Sequence, residues 1–156
     1  MSAIWYSVKL QVLCKELIKR QYPTELMVLG FFIHAAPRAL KVGPSFGPVV
    51  HSCRNSILAG DQQSVSWTRG LLYDLLDDLS KVDPEYPCAV HVDDLSHVLV
   101  GESASDLKAK LLKAGRVVGQ EVKRLHLTLS DKSTLLPEND FTKSVARILS
   151  NEGIVL

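Results

Sequence analysis

AVHVDDLSHVLV, residues 89–100, is an apolar run interrupted at its centre by two adjacent aspartates, Asp93 and Asp94. Side chains alternate across an extended strand, so Ala89, His91 and Asp93 share one face while Val90 and Val92 share the other. The valines can then enter a core while Asp93 faces a cleft. A turn that needs only to stay wet is better served by Asn-Gly or Asp-Gly. Two carboxylates about 4 Å apart repel by roughly 4 kcal/mol at an effective dielectric of ~20, less where water reaches them. A divalent cation offsets that repulsion. Hard oxygen donors with no cysteine nearby suit Mg²⁺ or Mn²⁺, which take one or two protein carboxylates and complete their shells with phosphate and water. Taken alone, the pair has two readings, a hairpin turn or a metal site. His91 and His97 flank it and raise zinc as a third, although single strand histidines are more often packed or hydrogen-bonded.

Working back from this stretch, DQQSVSWTRGLLYDLLDDLSKVDPEYP follows Gly60, and Val65, Thr68, Leu72, Leu75, Leu76 and Leu79 fall on one face of a helix that stops before Pro84. Near the N-terminus, Leu10, Leu13, Leu17 and Ile18 recur at helical spacing from Ser7 to Gln21 among lysines, which predicts an amphipathic helix. Thr24 is placed to cap a second helix that runs to Ala36 before Pro37. That helix is apolar on nearly all sides, which predicts burial. RALKV and PVVHS, separated by GPSFG, read as a short hairpin.

Working forward, Ser103 or Ser105 can cap a long helix whose Leu107, Leu111, Ala114, Val118, Val122 and Leu125 form one stripe. Gly115 and Gly119 weaken such a helix by about 1 kcal/mol each relative to alanine, which points to a close packing contact. LHLTLSDKSTLLP then reads as a strand carrying Leu125, Leu127 and Leu129, a turn at Ser130 and Asp131, and a second short strand. The predicted order is helix, helix, hairpin, helix, hairpin, helix, hairpin. Strands gathered into hairpins imply an α+β domain with an antiparallel sheet packed on helices.

Composition bounds the function. With 156 residues, 46% of them apolar and 22% charged, the chain fits one globular domain rather than a disordered segment. A net charge of +1 lacks the signature of a strongly basic nucleic-acid binder but leaves room for a local basic groove. Cys14, Cys53 and Cys88 form no CxxC pair and read as buried, reduced thiols. The run LMVLGFFIHAA is well short of the ~20 residues of a membrane span. A soluble intracellular chain with no membrane partner is expected, its compartment open.

The hairpin HVDDL, preceded by AGDQQSVSWTRGLLYDLL and followed by a helix and LSDKS, resembles the palm of reverse transcriptases, particularly those of non-LTR retrotransposons and group II introns. In that family an x-x-D-D hairpin binds the metal. The preceding family segment, Gly-x-x-Gln-Gly-x-x-x-Ser, is matched at Gly60 and Ser64, with Ser56 and Ala59 replacing the first glycine and the glutamine. Lys132 in LHLTLSDKST matches a lysine near the incoming triphosphate. The resemblance covers most of residues 5 to 136 and implies a partial, palm-like reverse transcriptase domain over residues 1–156, with a short C-terminal extension.

The implied activity is RNA-directed DNA polymerisation, in which a primer 3′ hydroxyl attacks the α-phosphate of a deoxynucleoside triphosphate on an RNA template. The implied catalytic residues are Asp93, Asp94 and Lys132, with Asp93 and Asp94 as ligands for Mg²⁺ (or Mn²⁺). Gly60, Gln63 and Ser64 are the implied substrate-binding residues, with Gln62 beside them. The family's first motif carries a further metal-binding Asp, and MSAIWYSVKL begins one residue after that position, with Trp5 at the aromatic and Tyr6 where a second Asp is usual. A fragment of a longer polymerase, its other segments elsewhere, and a catalytically inactive palm-like binding or structural domain from a decayed retroelement both follow. A phosphorylatable receiver domain also uses paired aspartates. It normally carries them on its first strand, whereas here they lie past the middle of the chain.

Overall fold

A computed structural model describes residues 8–49, 57, 62–86, 88–91, 94–129, 133–137 and 139–155. Among these are five helices and two small antiparallel sheets, so the α+β class holds. In order they are α1 (Leu10–Lys19), α2 (Thr24–Ala35), β1 (Lys41–Val42), β2 (Ser45–Phe46), α3 (Ser64–Ser80), β3 (Cys88–His91), β4 (Asp94–His97), α4 (Ala104–Arg124) and α5 (Asp140–Asn151). Each sheet has two strands, β1 with β2 and β3 with β4. The chain divides into two compact units, one over Trp5–Leu71 and one over Leu72–Leu156.

In the unit over Trp5–Leu71, Trp67 is fully buried and organises the packing. Its ring meets Phe31 at 4.9 Å and His34 at 4.6 Å between centroids. Gly30 lets α2 lie directly on that ring, since a Cβ there would stand 2.3 Å from Trp67 Cζ2. His34 is buried as well, and its Nδ1–H donates to the Gly30 carbonyl at 2.8 Å. From α1, Leu13 and Leu17 enter this core. Ile18, expected beside them, is exposed and Glu16 is buried instead. At about 100° per residue, Glu16 lies on the Leu13 side of the helix and Ile18 well past Leu17, which accounts for the exchange.

Further expectations for this unit are corrected. Helix α2 is not buried all round: Met27, Gly30 and His34 face inward, while Leu26, Val28, Leu29, Phe32 and Ile33 are exposed. Its N-cap is Pro23, with Thr24 already helical and no capping side-chain bond. The hairpin after it is shorter than predicted, pairing Lys41 with Phe46 and Val42 with Ser45 around Gly43, whose φ of +59° suits glycine. The predicted second strand from Pro48 is not a strand through Val49, and residues 50–52 lie outside the described residues.

In the unit over Leu72–Leu156, α4 and α5 pack closely around Val145, Leu149 and Ile154. The two glycines of α4 serve this contact. A Cβ on Gly115 would come within 2.5 Å of Leu149 Cδ1, and one on Gly119 within 2.5 Å of Ile154 Cγ1. Ser103 caps α4 by accepting from the Asp106 amide at 3.1 Å. Arg116 reaches from α4 to Glu152 in a two-pronged pair at 2.7 and 2.8 Å. Helix α5 was not anticipated from sequence. Asn139 caps it in a reciprocal box with Thr142, whose amide donates to Asn139 Oδ1 at 2.9 Å while Thr142 Oγ1 accepts from the Asn139 amide at 3.0 Å.

The strand expected at Leu125–Leu129 is absent. Leu125 is the buried C-cap of α4, and His126 turns left-handed at φ +54°. The Leu127 amide then donates to the Val122 carbonyl at 2.9 Å and the His126 amide to Lys123 at 3.2 Å, which is a Schellman ending. Helices α1 and α5 close in the same way, through Gln21 and Gly153. Residues 133–135, in the second strand of that expected hairpin, are also irregular.

Candidate metal and nucleotide site

Strands β3 and β4 pair antiparallel in the register Cys88–His97, Ala89–Ser96, Val90–Leu95 and His91–Asp94. Residues directly opposite share a face. Cys88, Val90, Leu95 and His97 are half-buried on one side, and Ala89, Ser96 and Asp94 are exposed on the other. The alternation read from AVHV and DLSH is therefore present, with Asp94 at the exposed start of β4 opposite His91. Asp93, expected on the face of His91, lies outside the described residues, so the described carboxylate on that face is Asp94.

A polar clamp holds the base of the hairpin, and sequence reading missed it. The Asp83 carboxylate, 3% exposed, accepts from the Val100 amide at 3.2 Å and from Lys110 Nζ at 3.1 Å. Lys110 Nζ also donates to the Val100 carbonyl at 2.6 Å. The segment leaving β4 is thereby fixed to α3's C-terminal turn and to α4. Burial alone would raise the Asp83 pKa, but the hydrogen bonds from Lys110 and Val100 and the lysine charge hold it below the ordinary value. Lys110 is shifted up by its hydrogen bond to Asp83. His97 is held below its usual value by burial, with the Asp83 charge opposing, and burial pushes the Cys88 thiol up. Residues 27 apart carry the clamp, so no local motif could announce it.

The remaining described candidates divide between the two units. Gln63 and Ser64 belong to the unit over Trp5–Leu71, whereas Asp94 belongs to the other. Gln63 is half-buried and its Oε1 lies beside Gly30, 2.5 Å from where a Cβ would stand. Its carbonyl accepts the Trp67 amide at 2.9 Å, which makes Gln63, not Ser64, the residue at the helix boundary. Ser64 is buried in the first turn of α3, its carbonyl accepting from Thr68 Oγ1 at 2.8 Å. On α3, Trp67 and Leu71 are buried along with Thr68, Leu72, Leu75 and Leu79, whereas Val65 is exposed. Gln62 is exposed. Gly60 and Lys132 lie outside the described residues. Cys14 and Cys88 are free and half-buried, rather than fully buried as expected.

Among the described residues no three His, Cys, Asp or Glu side chains gather as a metal-binding group. An exposed carboxylate at a hairpin end nonetheless fits Mg²⁺ or Mn²⁺ chemically, because these ions bind through one or two protein carboxylates and take phosphate and water for the rest. No helix among the described residues is long and apolar enough to cross a membrane. The chain matches no family model, no curated protein and no solved structure.

Proposed function

We propose that this chain is a partial, palm-like reverse transcriptase domain of the non-LTR or group II intron type, a metal-dependent nucleotidyltransferase that extends a primer on an RNA template. The observation that carries the reading is the antiparallel pairing of β3 with β4 at the junction where the sequence sets Asp93 beside Asp94. Asp93 and Asp94 would hold Mg²⁺ or Mn²⁺, which when bound supplies positive charge at the reacting phosphate. Asp94, Ala89 and Ser96 form an exposed face beside that junction, where a substrate would lie. The Asp83–Lys110 clamp fixes the segment that leaves β4 at the hairpin's base. In this reading Lys132 neutralises charge on the leaving pyrophosphate. Gly60 gives the backbone close approach to the nucleotide, and Gln63 and Ser64 position the start of α3.

A second reading rests on specific residues: Ala59 stands where the resemblance calls for glutamine, and Tyr6 where it calls for aspartate. Those replacements favour a catalytically inactive palm-like domain that retains a binding or structural role. Primer extension by the purified chain on an RNA template with Mn²⁺ or Mg²⁺ separates the two. Incorporation that Asp93→Asn and Asp94→Asn each abolish supports the polymerase. Template binding without incorporation, unchanged by either substitution, supports the second reading.

A further inference from the structure

We infer that Asp83, Gly101 and Lys110 lock the register of the β3–β4 hairpin and that they are thereby positioning residues for the carboxylates at its end, a role that rests on the metal-site reading proposed above. A two-stranded hairpin is only marginally stable by itself. Its register is firmly specified where one face is buried, and here the inner face of Cys88, Val90, Leu95 and His97 is half-buried. A slip by one residue would carry Asp94 from the exposed face to that half-buried one. The register therefore needs an anchor outside the ladder.

Both legs are fastened beyond the last ladder pair, Cys88 with His97. On the β3 side, Val82 is buried and its amide donates to the Leu79 carbonyl at 3.0 Å, while the Tyr86 amide closes a turn on the Asp83 carbonyl at 3.2 Å. On the β4 side, three consecutive residues are seated. Val100 donates its amide to the Asp83 carboxylate and accepts from Lys110 Nζ at its carbonyl. Gly101 lies so close to α4 that a Cβ would stand 2.6 Å from the Leu107 nitrogen and 2.7 Å from its Cα. The Glu102 amide donates to Asp106 Oδ2 at 3.1 Å, and the same oxygen lies 3.8 Å from Lys110 Nζ. Because Asp83 precedes β3 and Val100 follows β4, their bond at 3.2 Å ties one leg to the other. Lys110 donates to both legs. Sliding β4 by one residue would displace Val100 by about 3.3 Å, which breaks both of its bonds. The lock holds the register in which Asp94 is exposed and pairs with His91.

Nuclear magnetic resonance on the isotopically labelled full chain tests both parts. Cross-strand Overhauser contacts should join Cys88 to His97 and Val90 to Leu95. Lys110→Met and Gly101→Ala should each speed amide exchange in β3 and β4 at least about tenfold and leave α5 unchanged. Lys110→Arg still offers donors to Asp83 and Val100 and should keep wild-type rates. Arg116→Met removes an ion pair of the same unit that does not touch the hairpin, and it should leave the hairpin unchanged. Mn²⁺ binding at the hairpin should weaken about tenfold in Lys110→Met, the scale seen when a group that holds a metal ligand in place is removed, and should recover in Lys110→Arg. Wild-type contacts and exchange in Lys110→Met would overturn the lock, as would faster exchange spread evenly over α3, α4 and α5. A loosened hairpin that binds Mn²⁺ with wild-type affinity would overturn the positioning role alone. A wild-type chain with no saturable Mn²⁺ centre would overturn the metal-site reading and the positioning role with it, and the exchange rates would still decide the lock.

Discussion

Replacing Gly115 with alanine sets two known effects against each other, and the structure decides which wins. In an exposed helix the change gains about 1 kcal/mol of propensity. Here the new methyl would stand 2.5 Å from Cδ1 and 3.0 Å from Cδ2 of Leu149, well inside the ~3.5–4.0 Å of a favourable carbon contact. Leu149 is fully buried between Val145 and Ile154 and has little room to yield. Overpacking of this kind costs ~1–3 kcal/mol. The net result is a loss of about 1 kcal/mol, which lowers the melting temperature by ~4–8 °C if the unit over Leu72–Leu156 melts as one. Urea titration followed by circular dichroism reads it, and a cycle with Leu149→Ala isolates the clash. Leu149→Ala alone should cost ~2–5 kcal/mol. In that background Gly115→Ala should reverse sign and stabilise by up to about 1 kcal/mol. Stabilisation by Gly115→Ala in the unaltered chain would refute the packing described for α4 and α5.

Other expectations bear on caps, charge and chemistry. Asn139→Ala removes the acceptor for the Thr142 amide and should cost about 1 kcal/mol in the same urea titration, with the loss confined to α5 in amide exchange. Because Asp83 is held below its ordinary value of 3.8, its contribution is present at neutral pH and is lost as the pH falls through its depressed value. Asp83→Asn should therefore flatten the acid limb of the stability–pH profile below about pH 4, and an unchanged limb would count against the clamp. Gly30→Ala should destabilise more than Gly70→Ala, because the rigid Trp67 ring faces the first at 2.3 Å and only the Leu17 Cδ2 tip faces the second at 2.8 Å; melting curves of the two variants compare them.

Periodicity exposed what is local. The helices at Leu10–Lys19, Thr24–Ala35, Ser64–Ser80 and Ala104–Arg124 follow from apolar spacing and punctuating prolines, and Gly115 and Gly119 correctly signalled a close contact. What failed depended on information that side-chain type does not carry. The leucines of LHLTL alternate as a strand would, yet the left-handed turn at His126 puts Leu125 into the end of a helix instead. Such a turn is more foreseeable at Gly153 than at His126 or Gln21, since only glycine adopts it without steric cost. Helix α5 was missed although Asn139, Val145, Leu149 and Gly153 supply a cap, a stripe and a stop, because the box closes with threonine rather than the usual Glu or Gln. Of the candidate site, the hairpin was legible from strand alternation, but alternation sets Asp93 on the face of His91, and only the pairing of His91 with Asp94 puts Asp94 there. The Asp83–Lys110 clamp was not legible, as nothing in VDPEYP or LKAKLL reveals their partnership.

The functional proposal stands on the Asp93–Asp94 junction, and Mn²⁺ titration of the isotopically labelled chain tests it most directly. Paramagnetic broadening should saturate and centre on the amides of residues 91–95, and the Asp93→Asn, Asp94→Asn double variant should abolish it while leaving the rest of the spectrum unchanged. Broadening spread over exposed carboxylates such as Asp77 and Asp78, with no saturable centre at the hairpin, would contradict the proposal.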